Sequence, residues 1–186
     1  MQLFPKLTLG LLNGWIFLLV YGIVFGGVVK SFPKDVVARL YDESNWTPAQ
    51  RTLTRIGKVL SLAVFVLVAL TPLNVDTFVF WLGSVIFVLG IIGVVVALFN
   101  FRDTPVGQPA TEGLYKISRN PQWMMLVLVF LGACIAAGSW VALLLMALAV
   151  VCYHFRILAE ERACLAQYGD AYRDYMRQIP RYFVFF

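Results

Sequence analysis

Residues 78–99, FVFWLGSVIFVLGIIGVVVALF, run without one charged side chain, and Ser84 carries their only hydroxyl. In lipid no water is at hand to pair the backbone N–H and C=O groups, so a stretch of this kind has to be helical. Four other apolar windows accompany it, at residues 7–29, 56–73, 123–137 and 140–155. A hydrocarbon core of about 30 Å takes about 20 helical residues to cross. Composition decides between a buried core and a bilayer: 61% of residues are hydrophobic and 13% charged, with mean hydropathy +0.81, far from the mix of a soluble domain. The expectation is an all-α, polytopic membrane protein with about five transmembrane helices, plus a cytoplasmic C-terminal helix. All 186 residues form one membrane domain in this reading.

The window at 7–29 lacks the small-residue site that ends a cleaved signal peptide, and is read as a retained span. The last two windows are short, about 24 Å each at 1.5 Å per residue, with only Gly138-Ser139 between them. They predict either tilted short spans or a helical hairpin that does not fully cross. Basic residues set the orientation, because cytoplasmic loops collect Lys and Arg. Lys30, Lys34, Arg39, Arg51, Arg55 and Lys58 follow the first window; Arg102, Lys116 and Arg119 follow the third; Arg156, Arg162, Arg173, Arg177 and Arg181 follow the fifth. Lys6 alone lies on the other side. The N-terminus is therefore expected outside and the C-terminus in the cytoplasm, and the charge of +5 reads as topology and a match to anionic headgroups. No nucleic-acid partner is expected, since no soluble basic face with aromatic platforms is present.

Thr47-Pro48-Ala49-Gln50 has the capping-box form with proline at the first helical position, so an amphipathic prelude is expected to start the second span. Asn45-Trp46-Thr47 matches a glycosylation sequon, but a cytoplasmic loop is out of reach of that machinery and no glycan is expected. Cys134, Cys152 and Cys164 have no metal-ligand spacing and read as small hydrophobes, and His154 as a packed or interfacial side chain. No metal site is expected.

Polar residues concentrate in two segments on the cytoplasmic side. The first, 101–122, holds Pro105, Pro109, Pro121, Gly107 and Gly113, which forbid a continuous helix. Pro121 pushes Asn120 into extended geometry beside the free N–H groups of a helix start. Such a turn suits either a polar ligand gripped through main-chain groups or an ordinary interfacial turn with Arg119 snorkelling to headgroups. The second, 156–186, places Glu161, Leu165, Tyr168, Tyr172 and Tyr175 on one face if a helix runs through Gly169. An aromatic stripe with an acid at its membrane end suits a flat, cationic ligand; an interfacial amphipathic helix is the alternative. Glu160 and Glu161 leave the bilayer together and call for partners among Arg156, Arg162 and Arg119.

Taken together, GLYKISRNPQW at 113–123, the hairpin, EE at 160–161 with the following L, YG, Y and Y, and the late PRY at 180–182 resemble the integral membrane methyltransferase superfamily. That superfamily includes isoprenylcysteine carboxyl methyltransferases and phospholipid N-methyltransferases. The resemblance spans Pro105 to Arg181 and implies S-adenosylmethionine bound at the cytoplasmic edge, with a lipophilic acceptor entering from the bilayer among membrane lipids. Carried over by position, Gly113, Tyr115, Arg119, Asn120, Pro121, Glu160, Glu161, Tyr168 and Tyr172 would contact the cofactor. Arg119 and Arg181 would stand nearest the reacting centre as catalytic residues. The chain departs from the pattern in carrying Asn120 where the family more often has His, Trp123 where it more often has Tyr, and no proline after the late arginine. Asn120 keeps an acceptor and donors but does not titrate, which limits any role needing a proton there. Two other readings stand beside this one: an NADPH-dependent membrane reductase of the sterol-reductase type, and a non-catalytic membrane scaffold.

Overall fold

The computed structural model describes residues 1–43 and 46–183, so Asn45 of the sequon lies outside the described residues. Among the described residues seven α-helices follow in order: α1 (Trp15–Lys30), α2 (Lys34–Leu40), α3 (Pro48–Leu70), α4 (Phe78–Arg102), α5 (Pro121–Ala137), α6 (Trp140–Tyr168) and α7 (Asp170–Gln178). A single 3-10 turn, Gly113–Lys116, lies between α4 and α5. No strand is formed among the described residues, only two isolated bridges. Among the described residues three helices, α3, α4 and α6, are long and apolar enough to cross a membrane, while α1 and α5 are shorter apolar helices.

Three boundaries differ from the sequence expectation. Residues 7–14 are apolar but not helical: Thr8 N donates to Leu70 O and Gly14 N to Thr71 O, while Leu12 O accepts from Leu73 N. This segment thus satisfies backbone groups at the end of α3, and α1 starts only at Trp15. The window at 140–155 is not a short span, because α6 continues for 29 residues to Tyr168, about 44 Å. Hydrophobicity stops at Phe155, but the following RILAEERACLAQ contains good helix formers and nothing to end the helix. Helix α6 ends instead at Gly169, whose φ of 57° and ψ of −128° only glycine adopts readily. The stripe expected to run through that residue is therefore split between α6 and α7. The capping box forms as expected: Thr47 Oγ1 accepts from Gln50 N, Gln50 Oε1 accepts from Thr47 N at 2.8 Å, and Pro48 opens α3.

Helix α4 packs chiefly on α5, and α3 chiefly on α6. A Cβ on Gly83 would strike the Ala136 backbone, one on Gly132 the Phe87 backbone, and one on Gly90 the Val129 backbone. Glycine at these positions lets α4 and α5 touch main chain to main chain, the usual way for helices in lipid to gain contact. The core beside this seam includes Phe87, Val94, Leu98, Val129 and Ala133. Because α3 and α5 start where α1, α4 and the charged part of α6 finish, the polar segments gather at one end of the bundle.

Candidate functional site

The polar end is built around one carboxylate. Glu161 is 4% exposed. Its Oε1 accepts from Arg119 Nε at 3.1 Å and from Asn120 Nδ2 at 3.1 Å, and its Oε2 from Arg181 Nε at 2.9 Å. Arg119 also donates through Nη1 to Met176 O at 2.8 Å and Ile179 O at 3.2 Å, and through its backbone N–H to Pro180 O at 3.0 Å. Ser118 Oγ donates to Arg181 O at 2.8 Å and accepts from Asn120 N at 3.1 Å. The 113–121 loop, α6 and the strap after α7 are thereby locked to one another. An ion pair this buried is stable only when every remaining polar group is satisfied, and here the partners satisfy both carboxylate oxygens. The hydrogen bond to Glu161 raises the Arg181 pKa further above its ordinary value, so its charge is fixed.

The loop owes its shape to Gly113 and Asn100. Gly113 has φ of +62°, and a Cβ there would collide with the Asn100 amide, whose Oδ1 accepts from Leu114 N at 3.0 Å. Tyr115 is buried and its carbonyl accepts from Tyr175 Oη at 2.6 Å, tying the turn to α7. Burial pushes the phenols of Tyr115, Tyr172 and Tyr175 well above their ordinary pKa. They remain neutral donors.

Beside this knot lies a cleft of about 270 Å³. Of the residues expected at a cofactor, Tyr115, Arg119, Asn120, Glu160, Tyr168 and Tyr172 line it. Gly113, Pro121 and Glu161 do not, and neither does Arg181, expected at the reacting centre; Glu161 reaches the lining through its bonds to Arg119 and Asn120. The two acids therefore part company: Glu161 pairs with Arg119 and Arg181, and Glu160 with Arg156 at 2.6 Å. The cleft face of α6 carries Arg156, Glu160, Cys164, Gln167 and Tyr168; of the expected stripe, Tyr168, Tyr172 and Tyr175 line the cleft while Glu161 and Leu165 do not.

Several lining groups escaped sequence reasoning. The Arg156 guanidinium lies 4.9 Å from the Trp46 ring and 5.0 Å from the Trp123 ring, a cation held between two indoles. Trp123 also packs on Tyr153, with centroids 4.8 Å apart. Its position after a motif proline was visible, but its pairing with Trp46, far away in sequence, was not. Arg39 of α2 and Gln122 at the start of α5 line the cleft as well.

Trp123 has a second neighbour. An apolar chamber of about 410 Å³ opens between α3, α5 and α6, lined by Leu62, Phe65, Phe130, Met146 and Ala149, and Trp123 lines it too. Tyr21, Lys58, Ser61 and Tyr153 are its polar side chains apart from the Trp123 indole, and Ser61 Oγ and Tyr153 Oη are hydrogen-bonded at 3.2 Å.

Fold and site together define a helical membrane protein in which a polar, aromatic-walled cleft adjoins an apolar chamber. The sequence model of the phospholipid methyltransferase family matches residues 66–171, more than half of the chain, and the protein belongs to that family. No curated protein and no solved structure is significantly similar to it.

Proposed function

We propose that the protein transfers a methyl group from S-adenosylmethionine to a lipophilic acceptor held in the bilayer, such as an isoprenylcysteine carboxylate, a phospholipid amine or another small lipophilic group. The observation that carries this reading is the shared wall: Trp123 borders both the polar cleft and the apolar chamber. A polar methyl donor and a greasy acceptor need two such compartments in contact.

The donor set suits that cofactor. Tyr115, Tyr168 and Tyr172 give the cleft aromatic faces, which attract a flat base or a cation. Glu160 presents a partly exposed carboxylate able to accept from ribose hydroxyls or pair with an ammonium. When bound, S-adenosylmethionine supplies a sulfonium methyl that the acceptor's lone pair displaces in line, the C–S electrons leaving on sulfur. The protein's part is positioning and exclusion of water. Arg119 holds α7 and the strap against the loop, Asn120 and Arg181 brace Glu161, and Gly113 and Pro121 shape the turn. In this reading Glu161 and Arg181 act through the wall. The chain's orientation follows the basic residues, with the N-terminus outside and the cleft open to the cytoplasm.

Calorimetry on detergent-purified protein with S-adenosylhomocysteine and with NADPH tests the reading. Binding of the first alone is expected; NADPH binding, or neither, overturns it. Methyl transfer from labelled cofactor into membrane lipid and thiol extracts then identifies the acceptor.

A further inference from the structure

Among the described residues, three buried side-chain polar atoms have no hydrogen-bond partner: Arg39 Nε, Thr54 Oγ1 and Gln122 Nε2. Two of the three belong to residues that line the cleft. A buried donor without a partner is costly, so two of them on residues that line one cleft point to an acceptor that arrives with the ligand. Both atoms are donors. The group they fit is therefore an anion or another strong acceptor.

The other cations of the cleft are already committed. Arg119 is paired with Glu161, and Arg156 with Glu160. Arg39 has no carboxylate partner among the described residues. Its Nη2 donates to Thr104 O at 3.3 Å, and its guanidinium sits 5.2 Å from the centre of the Phe101 ring. These two contacts hold the group in place while leaving Nε unpaired. The cleft thus offers two carboxylates, Asp42 and Glu160, the second shared with Arg156, together with two residues that each keep an unpaired donor atom, Arg39 Nε and Gln122 Nε2. Acids and donors on one lining complement a zwitterion, an ammonium and a carboxylate on one small molecule.

We propose that Arg39 and Gln122 form a carboxylate seat that holds the amino-acid end of the cofactor, with Glu160 taking its ammonium. The proposal rests on the cofactor reading above. It assigns a binding role to α2, which lies outside the matched residues 66–171. Arginine suits the task because its planar fork matches a carboxylate.

The test compares two ligands on the full-length protein in detergent. S-adenosylhomocysteine carries the amino-acid end; 5′-methylthioadenosine has the same nucleoside and a thioether but lacks it. Arg39→Gln is expected to weaken the first by about tenfold or more, the range for a hydrogen bond to a charged group, and to leave the second within about twofold. Gln122→Met is expected to act in the same sense but less, and Arg39→Lys to restore part of the loss. Equal losses on both ligands, or an unchanged affinity for S-adenosylhomocysteine, overturn the seat. Wild-type protein that binds neither ligand sinks the cofactor reading itself, whereas wild type that binds both equally well removes the seat alone.

Discussion

A helix turns about 100° per residue, so Glu160 and Glu161 face different surroundings. Glu161 is enclosed by Arg119, Asn120 and Arg181, and Glu160 borders the cleft beside Arg156. Glu161→Gln puts amide hydrogens against donors that need an acceptor, and the expected cost is about 3–5 kcal/mol, the range for breaking a buried pair. Glu160→Gln removes a partly exposed i,i+4 pair with Arg156 and is expected to cost under about 1 kcal/mol. Its effect falls on the ligand instead, with S-adenosylhomocysteine affinity down about tenfold. Thermal unfolding and calorimetry on both variants check the division; equal melting temperatures would return the two acids to one role. The adjacent acids and the 113–121 loop were legible in the sequence. Which acid is buried was not, because that depends on the carbonyls of Met176, Ile179 and Pro180 that fix Arg119, and every residue carries a carbonyl.

Among elements, the α4–α5 seam and the α6–α7 break depend on glycine for different reasons. At the seam the need is space: Gly132→Ala drives a Cβ into the Phe87 backbone, and overpacking of this kind costs about 1–3 kcal/mol. The expected result is a lower melting temperature in detergent, with unchanged melting removing the claim of main-chain contact. At Gly169 nothing lies near the missing Cβ, and the need is the positive φ of 57°. Gly169→Ala is expected to cost about 1–3 kcal/mol in backbone strain and to loosen α7, seen as faster amide exchange over residues 170–178. Exchange that does not change would mean that α7 docks without the break. The apolar windows located α3, α4, α5 and most of α1 and α6 because hydropathy reports contact with lipid. It misread residues 7–14, where backbone bonds to Leu70, Thr71 and Leu73 replace helix, and residues 156–168, where helix continues after hydrophobicity stops. Local composition carries neither signal.

At the scale of the molecule, two compartments meet at Trp123, and the sequence disclosed only the polar one. The chamber is lined chiefly from α3, α5 and α6, with Tyr21 of α1, by ordinary lipid-span residues, which no motif distinguishes from residues that face the bilayer. If the polar end faces the cytoplasm, as the basic residues imply, a reporter fused to the C-terminus is expected to behave as cytoplasmic; activity on the opposite side would reverse the assignment. The division of labour between compartments can then be separated at Ala149. This residue is 3% exposed and lines the chamber but not the cleft, so Ala149→Phe places a ring where the acceptor's chain would lie. The cleft residues proposed to hold the cofactor do not include Ala149, so that substitution leaves them in place. The expected outcome is S-adenosylhomocysteine affinity within about twofold of wild type, while KM for the lipophilic acceptor rises by about tenfold or more, as losing the burial of two or more CH₂ groups requires at about 0.8 kcal/mol each. A variant that turns over the acceptor normally would show that the chamber is not the acceptor's seat, and one that loses both activities together would show that the two compartments are not independent.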